Sequence, residues 1–315
     1  MKIVILDADT ISNGDVSLHP ITVLGDADVY DLKPAAEIPA LVKDAEILLC
    51  NKAEITAAVM DAAPHLKMVG VFATGYNNID LTAAKARGIV ACNVPGYSTE
   101  AVAQHTFALI LSLASSIPQY SASVHAGDWV RSKQFTYFKY PQTSLIGKTL
   151  GIFGCGAIGK RVAAIGEAFG MRVLAHTRTP ENCPYTTVDA ETLFQESDVL
   201  SFHCPLTEEN RGVICKETLS LMKPSALLIN TARGGLAVEQ DLADALNNGG
   251  IAGAGIDVLC AEPMHPDNPL LNAKNCILTP HVAWAPPEVR EKLVGLVAEN
   301  VQRFINGTPH NVVNP

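Results

Sequence analysis

The sequence predicts an α/β fold with two doubly wound parallel-sheet domains. Three observations predict it: short apolar runs alternate with helical segments, the alternation starts a second time at Thr149, and a glycine-rich turn opens the second series. Such alternation is typical of parallel sheets joined by right-handed crossovers. A chain of 315 residues, 48% hydrophobic and 17% charged, is globular in composition and long enough for two cores.

The first series consists of short apolar runs separated by segments rich in Ala, Lys and Glu. The predicted strands are residues 3–6, 47–50, 69–73 and 90–94. The most apolar helical stretch follows at residues 101–113, where Gln104, His105 and Thr106 interrupt it. It is shorter than a membrane span, so we expect a buried helix and no membrane partner.

The second series has the same alternation. Its predicted strands are residues 149–153, 173–175, 199–203, 226–230, 254–258 and 277–279. Between the two series lies an aromatic segment, residues 121–145, which is long for a loop inside a compact domain. It contains Trp129, Phe135, Tyr137, Phe138 and Tyr140. We expect it to pack on a second subunit, the alternative being a loop folded back on its own domain.

The C-terminal part of the chain predicts an amphipathic helix that ends at Gly307. Its apolar face is formed by Val289, Leu293, Leu296, Val297, Val301 and Phe304. Composition does not decide which of the two domains this helix covers.

The glycine-rich turn, Gly154-Cys155-Gly156-Ala157-Ile158-Gly159, lies between a predicted strand and a predicted helix. This order brings backbone N–H groups and the positive end of a helix to a pyrophosphate. Gly154 permits the tight turn, Gly156 the approach of the phosphate, and Gly159 the packing of helix on strand. The turn therefore predicts a dinucleotide site.

The next strand, residues 172–176, indicates which dinucleotide is bound. NAD sites usually have a carboxylate at its end for the ribose 2′-hydroxyl, whereas this chain has Thr177, Arg178 and Thr179. A guanidinium pairs with a 2′-phosphate. We therefore expect NADP(H) to be preferred and NAD(H) to be possible. The alternative is that Arg178 is a solvated surface residue and that either cofactor binds.

Three further predicted strands end in residues that carry chemistry. Arg233 follows the strand at residues 226–230, Asp257 lies at the end of the next one with Glu262 five residues beyond it, and His281 follows the last. Ligands of open α/β sheets bind at the carboxyl ends of strands, and an Arg there suits a planar carboxylate. Each residue alone could be structural or solvated, but together on a nucleotide-binding fold they predict a catalytic site.

Composition excludes several other functions. The net charge is −9 and no cluster of Lys and Arg appears, which argues against a nucleic-acid partner. The eight cysteines contain no C-x-x-C pair and no metal-like spacing, so we expect no metal and reduced thiols in a cytoplasmic protein. The amino terminus is a predicted strand, too short for the core of a signal peptide.

In order and spacing, residues 154–159, 230–235, 255–263 and 279–285 resemble the D-isomer-specific 2-hydroxyacid dehydrogenases. The resemblance covers essentially the whole chain. Residues 74–80 look like the family's substrate-carboxylate loop. Residues 102–107, 139–141 and 280–285 look like its glycerate dehydrogenase, or hydroxypyruvate reductase, branch.

The resemblance implies a flavodoxin-like substrate (catalytic) domain of residues 1–98 and 285–315. A larger Rossmann dinucleotide-binding domain, residues 99–284, would be inserted into it. The C-terminal helix would return to the first domain, and residues 100–146 would build a homodimer interface.

It also implies roles in catalysis. His281 would donate the proton to the substrate carbonyl, and Glu262 would orient it and favour its protonated form. Arg233 would bind the substrate carboxylate and polarise the carbonyl. The backbone N–H groups of Thr74 and Gly75 would hold the same carboxylate.

Contacts with the cofactor are implied for a set of residues in turns and at helix starts of the larger domain. They are Thr99, Gly154, Gly156, Ala157, Ile158, Gly159, Thr177, Arg178, Thr179, His203, Cys204, Pro205, Thr231, Ala232, Arg233, Asp257, His281 and Ala283. Asp257 would bind the nicotinamide amide, with Thr99 and Thr231 near it. His203, Cys204 and Pro205 would line the adenosine side, the alternative for Cys204 being a packing residue without chemistry.

The activity implied is reduction of a small 2-keto acid, hydroxypyruvate or glyoxylate, to the D-2-hydroxy acid. Two alternatives stay open. One is a sugar-acid reductase of the 2-ketogluconate type, which would differ in pocket width. The other is a nucleotide-sensing, corepressor-like binding protein, which we disfavour because the chain ends at Pro315 with little beyond the enzyme core.

Overall fold

The structure is a computed structural model that describes residues 1–315. It divides into two compact units, Met1–Ser98 with Ala285–Pro315, and Thr99–Trp284. Each unit has its own parallel β-sheet, with five strands in the first and seven in the second. The predicted α/β fold with two doubly wound parallel sheets is confirmed.

The sheet of the first unit has the strand order β2-β1-β3-β4-β5, which is the flavodoxin-like order. Its strands are β1 (Lys2–Ile5), β2 (Asp26–Val29), β3 (Ile47–Cys50), β4 (Met68–Val71) and β5 (Val90–Cys92). Its first helices are α1 (His19–Thr22), α2 (Ile38–Leu41), α3 (Ala57–Asp61) and α4 (Leu81–Ala86). The side chains of Thr56 and Asp80 cap α3 and α4 by accepting from backbone N–H groups of the first turn.

The C-terminal helix, Pro287–Ile305, packs on α1 and β4 of the first unit. It buries Leu293, Val297 and Val301 on the face that its sequence predicts. Gly307 ends it in the left-handed region, with φ of 75°, and the N–H of Thr308 donates to the carbonyl of Arg303 at 2.9 Å.

The sheet of the second unit has the order β12-β11-β10-β9-β6-β7-β8, a Rossmann order lengthened by one strand. Its strands are β6 (Thr149–Phe153), β7 (Arg172–His176), β8 (Thr186–Thr187), β9 (Val199–Phe202), β10 (Leu227–Asn230), β11 (Gly253–Ile256) and β12 (Cys276–Leu278). Its helices are α5 (Thr99–Ala114), α6 (Ile117–His125), α7 (Asp128–Arg131), α8 (Ala157–Ala168), α9 (Ala190–Glu196), α10 (Lys216–Leu219) and α11 (Glu239–Asn247). The order of strands reverses between β6 and β9, so ligands are expected at their carboxyl ends.

The prediction of a long loop at residues 121–145 was wrong in part, because α6 extends into this segment and α7 lies within it. Two of its tyrosines, Tyr137 and Tyr140, pack on Tyr120 of the same unit, with ring centroids 5.9 and 5.2 Å away. Phe135 and Phe138, by contrast, are 89% and 87% exposed. The aromatic segment is thus anchored by its tyrosines and leaves its phenylalanines uncovered.

No single helix is long and apolar enough to cross a membrane. Only α5 and α6 taken together reach that length and composition, and they are bent by 59° at the break between them.

Candidate active site

The glycine-rich turn begins directly after β6, and its three glycines meet different surroundings. Gly154 has φ of 103°, and a Cβ on it would lie 2.7 Å from the backbone of His203 and Cys204. A Cβ on Gly159 would collide with the carbonyl oxygen of Gly154. A Cβ on Gly156 would meet nothing within 4 Å. The fold therefore requires glycine at positions 154 and 159, whereas Gly156 leaves an open space next to the turn, the cradle.

That cradle fits a pyrophosphate. Gly156 and Ala157 are exposed, and α8 begins at Ala157, so the N–H groups of its first turn, which have no partner within the helix, follow directly after Gly156. The positive end of a helix of 12 residues favours an anion at this point. The turn thus has the shape and the donors that a dinucleotide requires.

His203 and Cys204 follow β9, the strand next to β6. His203 contacts the hydroxyl of Ser201 through Nε2 at 2.8 Å, and its Nδ1 is buried without a partner. Burial lowers the pKa of His203 to about 3, so the ring is neutral. Burial also raises the pKa of Cys204 to about 11, an effect that the nearby charge of Arg178 opposes. The turn after β7 therefore lies close to the turn after β9. Pro205 accepts a hydrogen bond from Asn210 through its carbonyl, at 2.8 Å.

The turn after β7 contains Thr177, Arg178 and Thr179. Thr177 is half-buried and its hydroxyl accepts from the N–H of Thr179 at 3.4 Å, while Arg178 is exposed and pairs with no carboxylate. The guanidinium is therefore available to an anionic ligand.

Arg233 follows β10 in a turn held by Asn230, which is fully buried. The Asn230 side chain donates to the carbonyl of Arg233 at 2.9 Å and accepts from the N–H of Ala232 at 3.0 Å. The hydroxyl of Thr231, the next residue, lies 3.1 Å from that of Thr106. The Arg233 side chain is half-buried, donates to the carbonyl of Ala232 at 2.7 Å and has no carboxylate partner. No hydrogen bond joins it to Glu262 or His281.

Glu262 and His281 lie side by side. The distance from His281 Nδ1 to Glu262 Oε2 is 2.7 Å, and the other carboxylate oxygen accepts from the N–H of Leu259 at 3.0 Å. Their side chains are 26% and 36% exposed, for His281 and Glu262 respectively. The carboxylate fixes the orientation of the ring through Nδ1, and Nε2 is the ring nitrogen that makes no bond to it.

Asp257, which follows β11, organises the loop that carries His281. Its carboxylate is 2% exposed and accepts from the hydroxyl of Thr279 at 2.6 Å and from the N–H groups of Val282 and Ala283 at 2.9 and 3.0 Å. Its carbonyl accepts from the N–H of His281 at 2.8 Å. These bonds hold His281 at φ of 54°, a left-handed conformation that costs a residue other than glycine about 1–2 kcal/mol.

Sequence reasoning did not assign a role to Thr279 or His105. His105 on α5 contacts the hydroxyl of Thr279 through Nε2 at 3.0 Å and lies 3.5 Å from the Asp257 carboxylate. A threonine at the end of β12 is a weak sequence signal, and the sequence separation of 174 between the two partners hides the contact.

Thr74 and Gly75 follow β4 of the first unit. The hydroxyl of Thr74 donates to the carbonyl of Val94 at 2.8 Å, and the Asn93 side chain donates to the carbonyl of Thr74 at 2.7 Å. The backbone N–H groups of Thr74 and Gly75 donate to no acceptor within the protein. The Thr74 hydroxyl and the Thr74 carbonyl thus fix this loop, and two backbone N–H groups remain without a protein acceptor.

No group of three or more His, Cys, Asp or Glu side chains is arranged to hold a metal ion. The residues that the structure brings together in the second unit are Glu262 with His281, Asp257 with the loop of His281, and Gly154 with the turn after β9.

The chain is similar to known proteins over most or all of its length. The family described as D-isomer specific 2-hydroxyacid dehydrogenase, NAD binding domain, matches residues 107–283. The hydroxypyruvate reductase of Blautia hydrogenotrophica is 42% identical and aligns over 100% of both chains. The glycerate dehydrogenase of Methylorubrum extorquens is 44% identical over 88% of each.

Two solved structures are similar over nearly the whole chain. The TT0316 protein of Thermus thermophilus has a TM-score of 0.91 and 36% identity, and covers 99% of this chain and 100% of its own. The NADPH-dependent glyoxylate/hydroxypyruvate reductase of Sinorhizobium meliloti, solved with NADP and malonate, has a TM-score of 0.84 and 32% identity, and covers 96% and 93%. With its glycine turn, its Glu–His pair and these relatives, the chain belongs to the D-isomer-specific 2-hydroxyacid dehydrogenase family.

Proposed function

We propose that this protein is an NAD(P)-dependent oxidoreductase that reduces hydroxypyruvate or glyoxylate to the D-2-hydroxy acid. The observation that carries the proposal is the 2.7 Å contact between His281 Nδ1 and Glu262, in a unit whose glycine turn fits a dinucleotide. Relatives named hydroxypyruvate reductase, glycerate dehydrogenase and glyoxylate reductase support the choice of substrate.

The reaction adds a hydride to the carbonyl carbon of the substrate and a proton to its oxygen. A bound nicotinamide supplies the hydride. His281 donates the proton from Nε2, while Glu262 holds Nδ1 and stabilises the ring as it changes charge. The products are a hydroxyl group on the former carbonyl carbon and a neutral imidazole, which solvent reprotonates.

Arg233 binds the substrate carboxylate and polarises the carbonyl. Its half-buried guanidinium lacks a protein carboxylate, which leaves its paired donors to a ligand. In the first unit, the backbone N–H groups of Thr74 and Gly75 donate to no protein acceptor, so they are also available to a substrate carboxylate. Both assignments predict that a 2-keto acid is bound far more tightly than the corresponding ketone without the acid group.

The turns of the second unit would hold the cofactor, with Gly156 and Ala157 at its pyrophosphate. The turn with Thr177, Arg178 and Thr179 would contact the ribose. It favours NADP(H), because it has no carboxylate that would repel a 2′-phosphate and because Arg178 is unpaired. Replacing Arg178 with Ala and Thr177 with Asp should shift the preference toward NADH. An unchanged ratio of kcat/KM for the two cofactors would show that the 2′ position is read elsewhere.

The substrate proposal is tested by initial rates with NADPH and NADH against hydroxypyruvate, glyoxylate, pyruvate and 2-ketogluconate. Fast NADPH-dependent turnover of the first two is expected. Preferential turnover of 2-ketogluconate would assign the protein to sugar acids, and no turnover with any of the four would favour a nucleotide-sensing binding protein.

We also propose a cytoplasmic homodimer that is formed through residues 100–146. Phe135 and Phe138 are large apolar side chains left almost fully exposed, and such side chains are enriched where subunits meet. Eight free thiols suit a reducing compartment. Sedimentation should find a dimer that the double change of Phe135 and Phe138 to Ser dissociates, whereas Leu271→Ser, at another exposed apolar position, should leave it intact. A wild-type monomer, or a dimer that survives the double change, would refute the assignment.

A further inference from the structure

Two cysteines meet beside the glycine turn. Cys155 lies within the turn, between Gly154 and Gly156, and Cys183 lies in the connection from β7 to β8, five residues after Arg178. Their sulfur atoms are 2.8 Å apart, and both thiols are free. Cys155 is 7% exposed and Cys183 is half-buried. None of the roles assigned above uses either thiol.

The position of the pair connects two parts of the cofactor site. Cys155 is flanked by the glycine that forms the cradle for the pyrophosphate. Cys183 closes the short 3-10 helix Pro180–Asn182, its N–H donating to the carbonyl of Pro180 at 3.1 Å, directly after the turn that contains Arg178. A bond between the two sulfur atoms would therefore tie the pyrophosphate turn to the segment next to the ribose.

We propose that Cys155 and Cys183 are a redox modification site, which a small disulfide such as oxidised glutathione converts to an intramolecular disulfide that weakens binding of the dinucleotide. Intracellular disulfides of this kind are usually transient and redox-sensing. The effect on the dinucleotide rests on the proposed function, whereas formation of the disulfide does not.

The chemistry balances as two thiol–disulfide exchanges. The more exposed thiol, Cys183, loses a proton and attacks one sulfur of oxidised glutathione, forming a mixed disulfide and releasing the first glutathione. Cys155 then loses its proton and attacks the Cys183 sulfur, which forms the protein disulfide and releases the second glutathione. The protein loses two electrons and two protons, and the oxidant becomes two thiols.

The environment of Cys155 sets the order and the speed of these steps. Burial raises the pKa of Cys155 to about 12, and the neighbouring Cys183 sulfur adds to the shift. Because the thiolate is the nucleophile, Cys155 is a poor first attacker and serves as the resolving thiol. The disulfide should therefore form slowly at neutral pH and faster as the pH rises.

Disulfide formation moves the turn. A disulfide bond is about 2.05 Å long, so the two sulfur atoms must approach by roughly 0.7 Å from their separation of 2.8 Å. A misplacement of about 1 Å in a preorganised site can lower a reaction rate about a hundredfold, and by the same reasoning we expect NADPH to bind roughly tenfold more weakly or worse. Reduction with dithiothreitol should restore the affinity.

The test is to incubate the whole protein with oxidised glutathione at pH 8, map disulfides by non-reducing peptide mass spectrometry, and measure the Kd of NADPH by fluorescence. Wild type should yield a peptide that joins Cys155 to Cys183 and a raised Kd. Cys183→Ser should yield neither, while keeping the Kd of the untreated protein. Cys215→Ser, which removes another half-buried thiol of the second unit, should behave as wild type.

Each other outcome is informative. Glutathione found only on the exposed Cys260, or a Kd that rises equally in Cys183→Ser, would overturn the proposal. A Cys155–Cys183 disulfide with an unchanged Kd would overturn its effect on the cofactor. If the reduced protein binds no NADPH, the proposed function fails, and the peptide map still decides whether the disulfide forms.

Discussion

Gly156→Ala should separate the stability of the protein from its binding of the cofactor. Gly156 has φ of −77° and ψ of −165°, an extended conformation that alanine adopts freely. The new methyl group would meet no protein atom within 4 Å. The variant should therefore fold as wild type does, with a free energy of unfolding within about 1 kcal/mol of wild type, because alanine restricts the unfolded chain but is a poorer N-cap of α8 than glycine.

Binding of NADPH should change much more than stability, because the methyl group fills the cradle in which we place the pyrophosphate. Displacing the phosphate from even one backbone N–H group removes a charge-assisted hydrogen bond worth about 1.5–3 kcal/mol. At about 1.4 kcal/mol for each factor of ten, the Kd should rise roughly 10- to 150-fold.

The assay pairs calorimetric titration with NADPH and denaturant unfolding of each variant. Gly295→Ala is the matched control, since its Cβ also meets nothing within 4 Å but lies in the C-terminal helix, and it should bind NADPH normally. Gly159→Ala should instead lose stability, because its Cβ collides with the Gly154 carbonyl. A Gly156→Ala protein that is stable and binds NADPH with the wild-type Kd would refute the placement of the pyrophosphate.

Two further predictions concern buried polar groups. Asp257→Asn puts an amide N–H₂ against N–H groups that now donate to the carboxylate, so denaturant unfolding should show a loss of about 2–4 kcal/mol and kcat should fall. Asp267→Asn, at an exposed position in the same β11–β12 connection, should change neither quantity. An Asp257→Asn protein as stable as wild type would contradict the anchoring role. Burial lowers the pKa of His203 to about 3, so below about pH 6.5 this residue is protonated in the unfolded chain but not in the native state. The contribution of His203 to the free energy of unfolding is therefore complete above about pH 6.5. It declines toward pH 3 by at most about 1.4 kcal/mol per pH unit. Urea midpoints at pH 7 and pH 5 should differ less in His203→Asn than in wild type, and an identical pH dependence in both would contradict this account.

The buried strands could be predicted from the sequence because both faces of their sheets are covered. β3 and β4 are continuous apolar runs, β10 is apolar up to its last residue, Asn230, and all their residues are buried. β2 and β8 escaped prediction for the converse reason. They are edge strands, β2 contains Asp26 and Asp28, and β8 is two exposed threonines.

The same contrast holds for the candidate site. The positions of Arg233 and His281 after strands are a local pattern that sequence reveals. The pairing of Glu262 with His281 came only from family resemblance, because the connection between β11 and β12 has no periodicity that fixes its path. The network of His105, Thr279 and Asp257 depends on the packing of α5 against the sheet, which no local sequence pattern reveals.

In the mechanism that we propose, His281 supplies the proton to the substrate carbonyl. The most direct measurement is the single-turnover rate of NADPH oxidation by hydroxypyruvate in wild type and His281→Asn. Asparagine tolerates the left-handed conformation at this position, so the loop is kept while the acid is lost. We predict a rate lower by about 10²–10⁴ with an unchanged Kd for NADPH. A rate close to wild type would contradict the account.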